Sequence, residues 1–409
     1  MVKKFSTRIG LDIFQVIKRG PALLFSDGIQ QASGVAVTLM IARLSAKETL
    51  GEFQLALSVL AIAAVISIRG FDTVVLRDAA RNKDGVYRRA VRTRFYWSLL
   101  GVPVMALFSL FYYYTNEASL AWAFLAIALL VPWYFVVQSW QFMYKGKELF
   151  TEYAISSIAR SVLTVLATIL ILLTAGDNVA ALLLVYVGTN IFVNGITFVK
   201  SFAVLRNDEV SSDWKEYSYF LSKAGLFKQM AGNADKVLAG IVFSPSVLAI
   251  YAVAVIIPNA VMLSFKSIFT MALPKLSQRD FLGWRDLFIA LMIGVIATAV
   301  TASMVWFLLI PLFGEQYRSA LPMAMVASTS LLFLPLSQLL VNFSFMQSKR
   351  KAVMVNELLS PALKMLFIVI LGSIWQIMGF AIVFALVPLI WTIIALMTLK
   401  IDFKKMVVV

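Results

Sequence analysis

The chain has 409 residues, of which 61% are hydrophobic and 14% charged. About a quarter of the residues in a soluble domain are charged, so this composition is that of an integral membrane protein. The formal charge of +15 does not mark a nucleic-acid binder, because the basic residues are scattered between apolar runs and no polar domain is left to form a groove; the lack of cysteine and histidine excludes disulfides, thiol chemistry and imidazole-held metals.

The N-terminus is mixed and charged as far as Arg19 and has no short apolar core followed by a small-residue cleavage site, so no cleaved signal peptide is expected. Apolar runs of about 20 residues then predict helices at 21–42, 52–74, 95–114, 120–143, 154–174 and 179–199. After a polar break they resume at 224–243, 248–273, 287–310, 323–346, 353–373 and 379–399. The predicted fold class is all-α integral membrane, with twelve transmembrane helices in two six-helix lobes, 1–205 and 224–409, joined by a linker at 206–223. Alternate connections sort the positive charge. One side holds both termini and the cluster Arg77 to Arg94, the other only Arg43, Lys47 and Arg318, which places N- and C-termini in the cytoplasm. The cluster reads as a topology signal lying against anionic headgroups, with a partner-recruiting surface as the alternative.

Sliding the second half back by 198 residues lays Leu248, Tyr251 and Ala254 on Leu50, Phe53 and Ala56, and Lys275 on Arg77. A six-helix repeat keeps its orientation in the membrane, so the two lobes are predicted to be related by an axis along the membrane normal and to enclose a central cavity.

Six basic residues remain inside the predicted spans: Arg69, Arg160, Lys228, Lys236, Lys266 and Lys364. An ionisable group at mid-membrane costs ~2.5 to 3.5 kcal/mol on insertion scales and usually faces a bundle interior or a wet cavity. A cavity with excess positive charge predicts an anionic cargo. For Arg69 and Arg160, near span ends, snorkelling to the headgroups competes with a cavity role. In the seventh span Gln229, Asn233 and Lys236 recur at i, i+4 and i+7, with Lys228 and Asp235 on or near the same face. The plainer reading there is that Asp235 and Lys236 each find a partner on a neighbouring helix. Asp27, Gln30, Gln31 and Gly34 form a polar stripe in the first span, where Asp27 is either a coupling carboxylate or a partner for a cation such as Lys236. Glu357 and Lys364 lie seven apart on one face of the eleventh.

Six stretches carry a family likeness: IARLSAKETLGEF at 41–53, RGFDTVVLR at 69–77, MYKGKELFTEYA at 143–154, NADKVLAG at 233–240, AIYAVA at 249–254 and GFAI at 379–382. In these the chain resembles the Wzx-type polysaccharide and O-antigen flippases of the multidrug, oligosaccharidyl-lipid and polysaccharide exporter superfamily. The resemblance implies a two-lobed, twelve-helix bundle that carries an undecaprenyl-pyrophosphate-linked sugar unit between leaflets of the bacterial inner membrane. Asp235 and Lys236 match the family's Asp-Lys pair, and Arg77 its basic residue after the second span. Arg69 departs from the pattern, since an acidic or neutral residue is more usual before Gly70.

On this reading Lys228, Lys236, Lys266, Lys364, Arg69 and Arg160 are the cavity cations that meet the diphosphate. Gln30, Gln31, Gln229 and Asn233 contact the sugars, and Asp27, Asp235 or Glu357 couples transport to a proton or sodium gradient. No cofactor, no metal and no bond-making step is expected, so the protein is read as no enzyme. Its partners are the lipid-linked oligosaccharide, membrane lipids and, in the family's setting, a polysaccharide polymerase and a chain-length regulator. A drug or cation antiporter of the same superfamily is the first alternative, disfavoured because the cations outnumber Asp27, Asp72, Asp235 and Glu357. A membrane enzyme acting on lipid-linked sugars is the second, disfavoured because the longest external loop, 311–322, has only Glu315 and Arg318 as charges.

Overall fold

A computed structural model describes residues 13–68, 70–276, 282–346 and 350–399. All regular elements among them are helical. Hydrocarbon offers no partner to backbone N–H and C=O groups, so apolar runs of this length close their hydrogen bonds within themselves. The N-terminal half forms α1 (Ile13–Leu44), α2 (Lys47–Ile66), α3 (Gly70–Ala80), α4 (Gly85–Ser98), α5 (Gly101–Tyr114), α6 (Ala118–Ala128), α7 (Val131–Val136), α8 (Trp140–Gly146), α9 (Phe150–Ala175) and α10 (Val179–Ser201). The C-terminal half forms α11 (Trp214–Val242), α12 (Pro245–Leu276), α13 (Trp284–Phe313), α14 (Ala320–Ser328), α15 (Ser330–Met346) and α16 (Arg350–Leu399).

Eight of the described helical stretches are long and apolar enough to cross a membrane, and the pair that begins with α6, bent by 57° just before Pro132, makes a ninth. The apolar part of α16, 42 residues from Glu357 to Thr398, is twice the length of a span, and Gln376 interrupts it with φ 52°. Gly379 makes that reversal possible, because a Cβ there would lie 2.1 Å from the Leu371 carbonyl oxygen. Two further helices, α1 with 32 residues and α11 with 29, have the length of a span but are more polar. Twelve membrane-length segments thus arise among the described residues, in an all-α, multi-pass membrane protein. The two polar ones open the two halves of the repeat.

The predicted second span, 52–74, is broken: α2 ends at Ile66, Ile68 takes φ 54°, and α3 begins at Gly70. Packing selects glycine there, since a Cβ on Gly70 would lie 2.2 Å from the Ser218 carbonyl oxygen. The third span also begins earlier than 95, at Gly85, and draws Arg88, Arg89, Arg92 and Arg94 into a helix. Arg94 does not lie against headgroups. It is 4% exposed, ion-pairs with Asp72 and donates to Ser139 Oγ at 3.1 Å.

Two compact units result, one comprising 1–40 and 63–223, the other 41–62 and 224–409. These bounds differ from the lobes drawn on hydropathy alone in two places. Most of α2 groups with the C-terminal helices, because Gly51 lets it approach α12 so closely that a Cβ would sit 1.8 Å from the Pro245 carbonyl oxygen. Leu50, Phe53 and Ala56 and their repeat equivalents Leu248, Tyr251 and Ala254 are all fully buried in that packing. The stretch 206–223 groups with the N-terminal helices and half of it is helix, since α11 starts at Trp214. It is tied down by Gly85 N–H donating to the Glu209 carbonyl at 2.9 Å, Arg206 N–H to Asp84 at 2.8 Å, and an Arg77–Asp213 ion pair at 3.0 Å. Phe71 packs edge-on against Trp214 and Tyr219 beneath these contacts.

Candidate functional site

In the second unit, α11 and α16 carry charges of opposite order. Lys228 on α11 ion-pairs with Glu357 on α16, and seven residues further along each helix Asp235 pairs with Lys364 at 3.2 Å. Both pairs join residues 129 apart in the chain, so these stretches run parallel and in register, as complementary charges do across a heptad seam. Tyr251 on α12 donates to the second Asp235 oxygen at 2.6 Å, and Lys364 also donates to the Ala231 carbonyl at 2.7 Å. Every charge of this quartet therefore has a counter-ion, which burial demands of the Asp235–Lys364 pair; Lys228 is more exposed.

Lys228 and Lys364 line one cavity of about 150 Å³, together with Asn259, Ser360, Phe384 and Trp391. The Lys228 ammonium also stands 5.9 Å from the centroid of the Trp391 ring. Lys236, placed with them by sequence, is absent from that lining and donates instead to Gln54 Oε1 on α2 at 3.2 Å. The helical stripe read as one polar side is thus two: Lys228, Ala231, Gly232 and Asp235 face α16 or the cavity, and Lys236 reaches α2. The Gln229 side-chain oxygen is buried without a hydrogen-bond partner among the described residues, and Asn233 is half-buried. Arg69 lies outside the described residues, as does the side chain of Lys266.

The first unit contains a second cavity, of about 200 Å³, between α1, α7, α9 and α10 and the turn after α7. Arg160, 9% exposed, lines it with Gln30, Gln138, Ser161, Thr164 and Asn190. Arg160 is thus a buried lining residue of this cavity. Gln31 does not line it. Asp27, a turn earlier on α1, accepts a hydrogen bond from Tyr153 at 3.0 Å, and Lys145 lies 4.4 Å from the centroid of that ring. Asp27 thus has a partner within the first unit, and Lys236 one within the second.

Gln54, Asn190 and Ser161 were not singled out by sequence, and Tyr251 only as a residue of the repeat and of a family stretch. Each is a single polar side chain within an apolar run, and only neighbours on other helices give it a role. Asp72 and Arg94 stand 22 residues apart on different helices and were likewise paired only by packing. Among the described residues no cluster of three or more acidic side chains is placed to hold a metal.

A family model described as "Polysaccharide biosynthesis protein" matches residues 40–281, more than half of the chain. The chain belongs to that polysaccharide biosynthesis family. No curated protein sequence matches it significantly. Its fold is similar to that of the lipid II flippase MurJ in an inward closed conformation, with a TM-score of 0.71 at 11% identity, covering 96% of this chain and 89% of the other. It is also similar to a multidrug resistance MATE family transporter of the MOP superfamily, inward-facing, with a TM-score of 0.64 at 11% identity over 93% and 96% of the two chains. A third, a MOP superfamily transporter from Pyrococcus furiosus whose binding pocket is described as of reverse polarity, gives 0.57 at 13% identity over 96% and 95%. At such identities the likeness is one of fold.

Proposed function

We propose that the protein is a flippase that carries an undecaprenyl-pyrophosphate-linked oligosaccharide across the bacterial inner membrane for O-antigen or capsule assembly, by alternating access and driven by an ion gradient. The observation that carries this reading is the charge quartet beside a cavity within membrane-length helices, in a chain of the polysaccharide biosynthesis family. A diphosphate cannot enter hydrocarbon bare, and ammonium groups replace part of its hydration with charge-assisted hydrogen bonds. Lys364 has three N–H donors; Ala231 at 2.7 Å and Asp235 at 3.2 Å take two, and the third meets only the Gly232 carbonyl at 3.5 Å, a long contact that a phosphate oxygen can replace. Lysine holds phosphate as a point charge without arginine's fork, which suits a cargo that must be released.

Diphosphate and carboxylate compete for the same ammonium. Neutralising Asp235 or Glu357 with a proton or a sodium ion frees Lys364 or Lys228 for the cargo, so the ion and the diphosphate bind cooperatively. The sugars are met by polar side chains such as Gln229 and Asn233, and a polymerase and chain-length regulator take over the product. Leaflet transfer of a lipid-linked oligosaccharide in proteoliposomes tests the reading. The double substitution Lys364→Ala with Asp235→Asn, which keeps the charge balance, is expected to lower the transfer rate at least tenfold, as is Lys236→Ala. Unchanged transfer in the correctly inserted double variant overturns it.

A further inference from the structure

The two cavities differ in one respect that bears on cargo. In the second unit each lining lysine has a carboxylate partner, whereas Arg160 in the first unit makes no ion pair with any described residue although it is 9% exposed. An uncompensated guanidinium among membrane-length helices is costly, and the free energy returns when an anion reaches it. Two further lining groups point the same way: Gln30 Nε2 and Ser161 Oγ are buried without a hydrogen-bond partner among the described residues. Guanidinium, amide N–H and hydroxyl are all donors, so the complementary ligand is rich in acceptors.

We propose that the Arg160 pocket is a subsite for a carboxylated pyranose, that is, a hexuronic acid residue in the transported sugar unit. The inference rests on the flippase reading and adds the class of sugar. A single guanidinium presents a planar fork that matches one carboxylate with two hydrogen bonds and balances one negative charge; a diphosphate, with more charge, is better served by several cations. A volume of about 200 Å³ is below the roughly 300 to 1,000 Å³ of drug-sized sites, and so takes one sugar ring and not the whole oligosaccharide. Asn190, Thr164 and Gln138 supply the mixed donors and acceptors that ring hydroxyls need. One wall is Gly34, where a Cβ would meet nothing within 4 Å, so the pocket is open on that side and a larger residue would intrude into it.

The test is equilibrium binding to the full chain in lipid nanodiscs, with D-glucuronate, D-glucose and inorganic phosphate as probes. Glucuronate is expected to bind saturably in the millimolar range, and glucose at least tenfold more weakly. Arg160→Gln abolishes the difference, Arg160→Lys weakens glucuronate about tenfold through loss of the fork, and Gly34→Leu removes binding while leaving the charge in place. Equal binding of glucose and glucuronate, tighter binding of phosphate than of glucuronate, or wild-type binding in both Arg160→Gln and Gly34→Leu overturns the assignment. A protein that transfers lipid-linked sugar but ignores glucuronate overturns the subsite alone; one that binds glucuronate through Arg160 but transfers nothing overturns the flippase reading alone.

Discussion

Glu48 and Ser246 stand 198 residues apart and hydrogen-bond to each other, the serine hydroxyl donating. That separation is the offset of the internal repeat, so each residue is the other's equivalent, as in the self-complementary contact of an isologous pair. The ends of α2 and α12 that resemble each other in sequence are therefore the ends that meet, and Gly51 against Pro245 sets how closely.

Gly51→Ala is expected to destabilise the protein by about 1 to 3 kcal/mol, because the obstacle is backbone and cannot give. Gly188→Ala in α10, where a Cβ meets nothing within 4 Å, is expected to stabilise by about 0.5 to 1 kcal/mol through helix propensity. Thermal unfolding in detergent checks both, and the opposite signs are the test.

The buried Asp72–Arg94 pair gives a second expectation. Asp72→Asn leaves a buried guanidinium without its counter-ion and is expected to cost roughly 3 to 5 kcal/mol, whereas Asp72→Asn with Arg94→Met is expected to recover most of the loss. Yield of monodisperse protein and melting temperature separate the two; a double variant no better than the single one refutes the pairing.

Arg77 hydrogen-bonds to Asp213 and holds its carboxyl below the usual aspartate range, while its own guanidinium is raised by the same contact. A depressed carboxylate stabilises at pH above its unfolded value, about 3.9, and loses the effect as pH falls through the lowered folded value. Hydrogen exchange at the Gly85 amide, which donates to Glu209 in the tethered stretch, is thus expected to stay protected from neutral pH down to about 5 and to weaken only below about 4. Asp213→Asn is expected to lose that protection already at neutral pH.

In the second unit, Asp235→Asn removes the counter-ion of Lys364 while Tyr251 keeps an acceptor at the amide oxygen. Leaflet transfer in this variant is expected to lose its dependence on an imposed ion gradient and to retain affinity for the diphosphate. Gradient-dependent transfer persisting in Asp235→Asn would shift coupling to Glu357.

Much of this was legible before any coordinates. The apolar runs mark the spans, and the charged and amide residues of α1 and α11 mark the two helices that differ from the rest. The break at Gln376 falls in the gap predicted between 373 and 379, but the break at Ile68 was not legible, because a positive φ at a non-glycine residue is imposed by packing around it. Nor was the split of the α11 stripe, since residues about 100° apart on one helix meet different neighbours only once the bundle is assembled.

Hydropathy, charge asymmetry and repeat offset are properties of short windows, and from them the sequence determined that this is a membrane protein of helical spans with cations inside them. Which carboxylate neutralises which cation was decided by tertiary structure alone. The partners lie 22, 129 and 182 residues apart, for Arg94 with Asp72, Lys228 with Glu357, and Lys236 with the neutral Gln54. A Coulomb interaction depends on distance in space, and that distance exists only after the helices have packed; the same packing leaves Arg160 without a carboxylate among the described residues.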